Sequence, residues 1–426
     1  MSKTKYSLNL LTAARQLALW IILILPISIS IGLAVAFFLW LLDVATITRW
    51  NNMWLLFLLP IAGVLIFFIY KVAGKNIHGG NNLIIDEIHQ PGGGIPARMT
   101  PAILLTTVIT HLFGGSAGRE GTAVQMGGSI ASLFCKLLTV KDNQRKILLM
   151  CGVSAGFGAV FGTPVAGAVF ALEVLAIGRV QYEALIPCLM ASIIADIACS
   201  STGIHHTQYS IDLVESTQYF RYISFDVLLL IKVIIGGICF GLASYLFVKS
   251  SEWVKEKSNQ IIAKKWLIPL FGGCLIIAMS YALGTFDYLG LGVTNPNGGI
   301  SILSSFKEGG SDYFSWLWKI IFTAVTLGTG FKGGEVTPLF FIGSTLGNTL
   351  ALISNSPVSL FAALGFIAVF SGATNTPLAC TFMGVELFGA DHIVYFAVAC
   401  FTAYYFSGNA GIYSSQKLAV PKIWRP

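Results

Sequence analysis

The sequence of 426 residues is poor in charge: Asp, Glu, Lys and Arg make up 11% of it, while 55% is hydrophobic. Soluble domains carry roughly 25% charged residues, so this chain cannot cover a water-facing surface in the usual way. Several apolar runs approach or exceed the roughly 20 residues that a helix needs to cross a bilayer core. These runs occupy residues 17–42, 53–70, 226–248 and 266–282. A soluble protein is therefore excluded, and a multi-pass membrane protein is predicted.

The sequence also lacks the patterns of disulfide and metal chemistry. None of its eight cysteines forms a C-x-x-C pair, and its six histidines form no H-E-x-x-H motif. Most of the cysteines lie in apolar runs, where free cysteine behaves as a small hydrophobic residue. His205 and His206 fall in a polar stretch, 200–218, that is typical of a loop outside the membrane. We expect no disulfide framework, no metal and no cofactor.

Basic residues are gathered at the two ends of the chain and scattered in short loops, not in one patch. The net charge of +7 therefore does not indicate nucleic-acid binding. Under the positive-inside rule both termini lie in the cytoplasm, which requires an even number of crossings. The first apolar run is too long for a signal peptide, so we expect a multi-pass plasma-membrane protein, in the inner membrane of a bacterium. The terminal basic residues are Lys3, Lys5, Arg15, Lys417, Lys422 and Arg425.

Other apolar segments are too short to span a membrane and are bounded by glycine and proline. Helices broken at membrane depth are tolerated only where their backbone is buried in protein or lines a cavity. The chain contains 45 glycines, which makes such interruptions frequent. The pattern is typical of transporters and channels. The segments are 122–138, 146–161, 164–177, 337–352 and 377–388.

Two short motifs recur in the second half of the chain. "GREGTAVQMGGSI" (118–130) matches "GGEVTPLFFIGST" (333–345) at an offset of 215 residues, and "TPVAGAVFALE" (163–173) matches "TPLACTFMGVE" (376–386) at 213. Two matches in the same order at nearly the same offset indicate an internal repeat. We expect two membrane repeats, 1–215 and 216–426; the residues alone leave open whether they run parallel or inverted.

The repeat places two acidic residues at matching helix starts. Glu120 and Glu335 each precede a short apolar segment, where a helix presents unpaired N–H groups and a partial positive charge. Glycines beside them, including Gly118 and Gly121, let an anion approach the backbone closely. Two such helix starts meeting at the midplane predict an anion-binding site that needs no buried full charge.

A carboxylate at such a site has two states with different consequences. Ionised, Glu120 can occupy the anion position itself; protonated or displaced, it can swing away with the proton. An anion and a proton would then compete through one side chain, which is a physical basis for exchange. A plain capping role for Glu120 is the alternative, but ionisable residues inside a membrane are functional by default.

For several neighbouring residues the sequence predicts a role less specifically. Thr337 can donate its hydroxyl to an anion or simply cap its helix. Arg119 and Lys332 flank the site and either raise the local potential or pair with lipid headgroups. Glu173 and Glu386 close the second pair of repeat motifs, where a structural role at a helix junction is favoured.

Two motifs resemble enzyme signatures. "GVSAG" (152–156) fits the G-x-S-x-G pattern around a nucleophilic serine, Ser154, but no positioned base accompanies it except His111. Its small residues are better explained by close helix packing. "GTGFKG" (328–333) fits G-x-G-x-x-G without the strand–helix context that motif requires. We do not expect an enzyme.

Taken together, four motifs resemble the CLC family of anion channels and transporters, and the resemblance extends over nearly the whole chain. It implies an all-α fold of many tilted and broken helices in two inverted repeats. It also implies a homodimer with one pore in each subunit. The cytoplasmic nucleotide-binding module of some members is expected to be absent. The motifs are "GREG" (118–121), "TPVAGAVFALE" (163–173), "GGEVTP" (333–338) and "GIYSS" (411–415).

The resemblance also assigns roles within the site. By it, Glu120 is the gating glutamate and Tyr413 is the tyrosine whose hydroxyl donates to the bound anion. The backbone at Val336 and Thr337 corresponds to the second anion-binding helix start. Counting by the family's spacing places Asn81, in "HGGNNLI", at the position of an anion-contacting serine; "GGGIP" (92–96) looks similar but lies too close to Glu120.

Four departures from chloride-type members resemble the fluoride/proton antiporter branch. Thr122 follows the gating motif where proline is usual, and the second motif contains the acidic Glu335. Asn81 replaces the serine, although methionine is frequent there in that branch. Val174 stands where the chloride exchangers carry an inner proton-transfer glutamate.

The expected function is exchange of fluoride for protons across the membrane, exporting fluoride on an inward proton gradient. The partners implied are fluoride or chloride, protons and the lipid bilayer. Three alternatives stay open: a chloride/proton exchanger or chloride channel of the same fold, an intramembrane enzyme using Ser154, and a structural or assembly protein. The last leaves the two buried acids unexplained.

Overall fold

The computed structural model describes residues 10–74, 77–211, 219–220, 223–224 and 226–422, and these fold mainly as helices. We call α1–α8 the first helix set and α9–α15 the second. The first helix set is α1 (Leu10–Asn51), α2 (Leu59–Ala73), α3 (Asn81–His89), α4 (Met99–Leu112), α5 (Glu120–Leu137), α6 (Asp142–Phe161), α7 (Pro164–Glu173) and α8 (Leu185–Ser200). The second is α9 (Val227–Ile261), α10 (Leu267–Leu283), α11 (Ser315–Gly328), α12 (Val336–Ser354), α13 (Val358–Thr374), α14 (Pro377–Phe388) and α15 (Ile393–Phe406).

Besides short 3₁₀ helices, the described part of the chain contains four two-residue strands. β1 (Ala176–Ile177) pairs in parallel with β4 (Lys417–Leu418), and β2 (Tyr219–Phe220) pairs antiparallel with β3 (Ile223–Ser224). The β1–β4 pair ties the end of the chain to the segment that follows α7. The predicted all-α fold is thus confirmed.

The long helices have the surface of membrane-spanning segments. Among the described residues, five helical stretches are long and apolar enough to cross a bilayer: Ala14–Asn51, Met53–Ala73, Tyr182–Ser200, Val227–Ile261 and Val336–Ser354. On α1 both faces are apolar: Ile27, Ile31 and Val35 are buried, while Ile22 and Trp40 are exposed. An apolar outer face is stable against lipid tails but not against water, so these helices suit a multi-pass membrane protein.

The structure differs from the sequence-based segments in three places. The expected apolar segment 164–177 ends as a helix at Glu173, and its last two residues form β1. Helix α8 was not indicated by the sequence; the mean hydropathy of its span, 1.6, is well below the 2.4–2.7 of the spans that contain α1, α2 and α9. In the polar stretch 200–218, residues 201–211 follow α8 and 212–218 lie outside the described residues.

The order of helices in the first helix set recurs in the second. Helices α11, α12 and α13 each begin 216 residues after α4, α5 and α6 respectively. The packing recurs as well: α6 contacts α5, α7 and α8, and α13 contacts α12, α14 and α15. This repetition fits the expected pair of repeats. The boundary between them, near residue 215, falls outside the described residues and stays a prediction.

Helices α7 and α14 cap each other reciprocally. The carboxylate of Glu173, at the end of α7, accepts hydrogen bonds from Leu378 N (3.1 Å) and Ala379 N (2.9 Å) at the start of α14. Glu386, near the end of α14, accepts from the first amides of α7 at 2.9 and 2.7 Å. Each acid satisfies two otherwise unpaired amides and complements the helix dipole. The predicted structural role of Glu173 and Glu386 at a helix junction is confirmed.

Ser154 lies at a close-packed helix contact. Its hydroxyl donates to the carbonyl of Cys188 at 2.8 Å, and the matching Ser371 of α13 donates to the carbonyl of Cys400 at 2.9 Å. Next to it, a Cβ on Gly152 or Gly156 would collide with the backbone of α5. The predicted close packing of the "GVSAG" segment is therefore confirmed, and its serine is held by a bond between helices.

We predict that Glu173→Gln destabilises the protein, because an amide group carries no charge toward the α14 dipole and offers one acceptor oxygen instead of two. Hydrogen bonds to charged groups contribute about 1.5–3 kcal/mol each, so a clear drop in the melting temperature is expected. The measurement is the fraction of monodisperse protein that survives heating in detergent. Glu183→Gln is the matched control, because that side chain is 59% exposed and pairs only with Lys146. Equal stability of the two variants would contradict the capping role.

Candidate functional site

Two backbone hydrogen bonds join the residues that precede α5 to those that precede α12. Gly118 N donates to Gly334 O at 2.6 Å, and Gly334 N donates to Gly118 O at 2.7 Å. A Cβ on Gly118 would lie 2.9 Å from Thr337 N, and a Cβ on Gly334 would lie 2.7 Å from Gly121 N, so both positions require glycine. Two helix N-termini are thereby fixed side by side in the buried interior.

This contact corrects two expectations. The amide of Gly118 was expected to bind an anion, but it donates to Gly334, and the residue serves the close approach instead. Glu120 and Glu335 were expected at equivalent places. Glu120 is the first residue of α5, whereas Glu335 is the residue before the first of α12. Because successive helical residues point about 100° apart, the two carboxylates face different surroundings.

Glu120 is buried, and its carboxylate lies at the start of α12. Oε2 accepts from Thr337 N at 3.0 Å, and the Thr337 hydroxyl lies 2.6 Å from both carboxylate oxygens. Arg119 N donates to Oε2 at 3.1 Å. Since a helix N-terminus is a ready-made anion site, the carboxylate occupies the place of a bound anion. The buried amide of Val336 begins the same helix turn.

A small cavity of about 20 Å³ lies against one side of Glu120 and Thr337. His206 and Tyr209 contribute to its wall, although their stretch was expected outside the membrane. His206 packs on the αL residue Gly162 that ends α6, where even a Cβ would meet the imidazole. The sequence does not indicate these two residues, because nothing in a short polar stretch shows that it folds back over a buried site.

On this side Arg119 is the nearest charged neighbour of Glu120. Its Nε lies 3.6 Å from Glu120 Oε1, and that nitrogen is buried without a hydrogen-bond partner among the described residues. The side chain is 22% exposed. Arg119 therefore lies beside the carboxylate with an unused hydrogen-bond donor. This is the flanking position that the sequence predicted.

A second cavity, of about 160 Å³, lies on another side of the paired helix starts. It brings together Asn81, Glu335 and Tyr413, three of the predicted site residues, with Gln125 and Lys332. Asn81 Oδ1 is buried and has no hydrogen-bond partner among the described residues. A larger cavity of about 560 Å³ shares Lys332 and Glu335 with it and extends to further lysines, Lys255 and Lys265. The wall of this side is therefore polar and rich in cations.

Asn81, and not the similar-looking "GGGIP" loop, reaches this cavity. A Cβ on Gly121 would lie 3.2 Å from Asn81 Nδ2, so the amide packs directly on the α5 start. The loop at 92–96 instead folds over Glu87, whose carboxylate accepts from Gly92 N at 3.1 Å and Gly94 N at 2.9 Å. The prediction drawn from the family's spacing agrees with this placement.

Tyr413 is held in place by a network that the sequence does not reveal. Ile412 N donates to Ala373 O at 2.9 Å, and Ser415 N donates to Asn82 Oδ1 at 3.0 Å. Gln416 Nε2 lies 2.8 Å from the Val174 carbonyl and 2.7 Å from the Thr374 carbonyl. These bonds bury the tyrosine against the ends of α7 and α13. Asn82 and Gln416 have no motif that would identify them as supports.

No metal chemistry accompanies the site in the described part of the chain. Groups of three or more His, Cys, Asp or Glu side chains that could hold an ion do not occur there. All eight cysteines are free thiols, six of them buried. The polar groups that line the two cavities are hydrogen-bond donors, cations and the carboxylates of Glu120 and Glu335.

Comparison with known proteins supports the likeness drawn from the motifs. Residues 62–408 match the family model of the voltage-gated chloride channels. A protein of Pseudomonas syringae pv. tomato named chloride/fluoride channel protein is 44% identical over 410 residues, which cover 96% of this chain and 89% of that protein.

Solved structures share the architecture. A CLC-type fluoride/proton antiporter superposes with a TM-score of 0.86 at 32% identity, covering 95% of this chain and 98% of the other. A slow cyanobacterial Cl⁻/H⁺ antiporter superposes with a TM-score of 0.76 at 19% identity, covering 91% and 94%, which shows a shared fold. Because the family model spans most of the chain and a close relative covers nearly all of it, the chain belongs to the CLC family of ion channels and transporters.

Proposed function

We propose that this protein is a fluoride/proton antiporter of the plasma membrane that exports fluoride in exchange for inward protons. The observation that carries the proposal is the position of the Glu120 carboxylate at the start of α12. The Thr337 amide and hydroxyl that hold it are the donors a small anion would need. Cavities lie on both sides of this point. Glu120 therefore acts as a gate that an anion displaces.

Three features support fluoride as a transported anion. A small, strongly hydrated anion needs compact donors to replace its water, and the Thr337 hydroxyl, the helix amides and the Asn81 amide supply them. The 44% identical relative is named for both chloride and fluoride. The solved structure with 32% identity is a fluoride/proton antiporter.

In this proposal two carboxylates carry the proton in turn, one on each side of the barrier. Glu120 lines the small cavity and Glu335 lines the polar one, so a proton on either residue meets a different side of the barrier. Protonation of Glu120 removes the negative charge that holds it on the helix start. Val174, buried at the end of α7, cannot carry a proton, which leaves Glu335 as the inner partner.

The orientation follows from the distribution of lysine. The polar cavities open toward Lys255 and Lys265 at the end of α9, and the positive-inside rule assigns such clusters to the cytoplasm. In our proposal both termini and Glu335 face the cytoplasm, and Glu120 faces outward. As the resemblance implies, we expect a homodimer with a separate pore in each subunit.

We predict that purified protein in liposomes moves fluoride out while protons move in, and that Glu120→Gln abolishes the coupled exchange. A neutral amide mimics the protonated gate permanently, so it cannot release a proton. Fluoride and pH electrodes would record both fluxes together, with chloride-loaded vesicles in parallel and Glu183→Gln as the control. Fast chloride flux without proton movement would establish a chloride channel instead, and proton-coupled chloride flux would establish a chloride exchanger.

We predict that Glu335→Gln uncouples the two ions: fluoride still moves, but the protons moved per fluoride fall toward zero. The reason is that an amide at this position cannot pass a proton from the cytoplasmic cavity to Glu120. The readout is the ratio of the two electrode signals. Glu252→Gln is the matched control, since Glu252 lines the same large cavity but is exposed and paired with Lys249. An unchanged ratio in Glu335→Gln would remove Glu335 from the proton path.

We predict that Thr337→Val lowers the fluoride transport rate by at least about tenfold, since a hydrogen bond to a charged group contributes about 1.5–3 kcal/mol and 1.4 kcal/mol is a factor of ten. Thr337→Ser keeps the hydroxyl and should retain most of the rate. Initial fluoride efflux at matched protein density is the measurement. Equal rates in the valine and serine variants would show that the hydroxyl does not contact the anion.

A further inference from the structure

A further cavity, of about 240 Å³, lies between the end of α1 and the loop after α10. Arg49, Trp50 and Arg119 line it together with the backbone of residues 291–295. Arg119, Thr207 and Val293 belong both to this wall and to that of the small cavity beside Glu120. The larger space is therefore the next one reached from the gate, and we call it the vestibule.

Arg49 is a buried cation without an anionic partner. The residue is 3% exposed, and its guanidinium stacks over the Trp50 ring at 4.2 Å. Within the described ranges its side chain makes no hydrogen bond and has no carboxylate within 4.0 Å. Buried charges are normally paired, because leaving water is costly for an ion. The guanidinium of Arg49 has five N–H donors in a planar arrangement, and these are available to an acceptor in the cavity.

A second buried cation lies behind the same wall. Lys319 on α11 donates from Nζ to the carbonyls of Tyr288 and Gly290, each at 3.0 Å, and lies 5.1 Å from the ring of Phe341. The carbonyls orient the ammonium but do not neutralise it. Gly290 also packs on the guanidinium of Arg49, 3.7 Å from where its Cβ would be. The positive charges of Arg49 and Lys319 therefore lie on either side of the backbone of residues 288–290, and both contribute to the electrostatic potential in the vestibule.

Two acidic residues line the vestibule, and neither pairs with Arg49. Asp287 is occupied within its own loop, accepting from Asn295 Nδ2 at 2.7 Å and Ile300 N at 3.1 Å. Asp43 is exposed, one helical turn and a half before Arg49 on α1, where water screens its charge. With Lys319 counted behind the wall, the inner part of the vestibule keeps a net positive charge.

We propose that the vestibule binds a small inorganic anion at the Arg49 guanidinium, as an outer site separate from the one at Glu120. A volume of 240 Å³ holds such an ion together with several waters, whose share of liquid volume is about 30 Å³ each. Arg119 links the two sites, so an anion released at Glu120 passes Arg49 before it reaches bulk water. The link to export rests on the proposed function, whereas anion binding at Arg49 does not require proton coupling.

The test is isothermal titration of the purified full-length protein with sodium fluoride and, separately, sodium chloride. In the wild type we expect a weaker binding step beyond the one at Glu120, and we expect Arg49→Gln to lose that step and keep the other. Arg49→Lys keeps the charge but not the planar fork, so its affinity for the step should fall several-fold. Arg15→Gln is the matched control, because it removes the same charge from an exposed position near the other end of α1.

Each outcome decides the proposal. Loss of the step in Arg49→Gln but not in Arg15→Gln supports the site, and chloride binding there without fluoride transport would support it while the proposed function fails. An unchanged isotherm in Arg49→Gln, or an equal loss in Arg15→Gln, would overturn it. If Arg49→Gln does not give monodisperse protein, Arg49→Lys decides, since an affinity equal to the wild type would contradict the binding of the anion by the planar guanidinium.

Discussion

The pair of hydrogen bonds between Gly118 and Gly334 is the constraint from which the site follows. It brings two helix starts together in a buried interior, where neither water nor lipid can satisfy their amides. Such amides need an acceptor, and the acceptor that the chain supplies is the carboxylate of Glu120. Because a helix start offers only a partial charge, the acceptor is held without being trapped. A site of this kind can bind its own side chain and a free anion in turn.

The same carboxylate–helix contact occurs in a permanent form elsewhere in the protein. At the start of α14, Glu173 receives two consecutive backbone amides, from Leu378 and Ala379. At the start of α12, Glu120 receives one backbone amide and the hydroxyl of Thr337, because Pro338 has no N–H to offer. Glu120 also accepts from Arg119 N of its own helix start, so the two carboxylates are held by different donors. One residue type thus meets two different sets of donors at two helix starts, as a fixed joint at α14 and, in the proposed function, as a gate at α12.

The sequence predicts those features that local patterns encode. Charge content predicts the membrane fold, and the repeated motifs predict the helix starts, the junction role of Glu173 and the importance of Glu120. The sequence did not predict that Glu120 is the first residue of its helix whereas Glu335 precedes its helix by one residue. Matching glycines aligned the two acids, and the sequence does not show at which residue each helix begins. Contacts made by irregular segments, such as that of His206 over the gate, have no periodicity and depend on the complete fold.

Three cationic side chains lie near the helix starts of α5 and α12 without a direct hydrogen bond to the Glu120 carboxylate. Arg119 Nε stands 3.6 Å from the gate, Lys332 stacks at 4.4 Å over Tyr70, and Lys319 is tied to carbonyls. A full positive charge in direct contact would bind an anion too tightly for release, whereas a charge behind one layer of protein still attracts it. In the proposed antiporter, buried cations along the route attract the anion, and neutral donors at the start of α12 bind it. Glu120 is the only carboxylate among the described residues that reaches those donors on α12, so in the proposed antiporter the anion and the proton use the same few atoms.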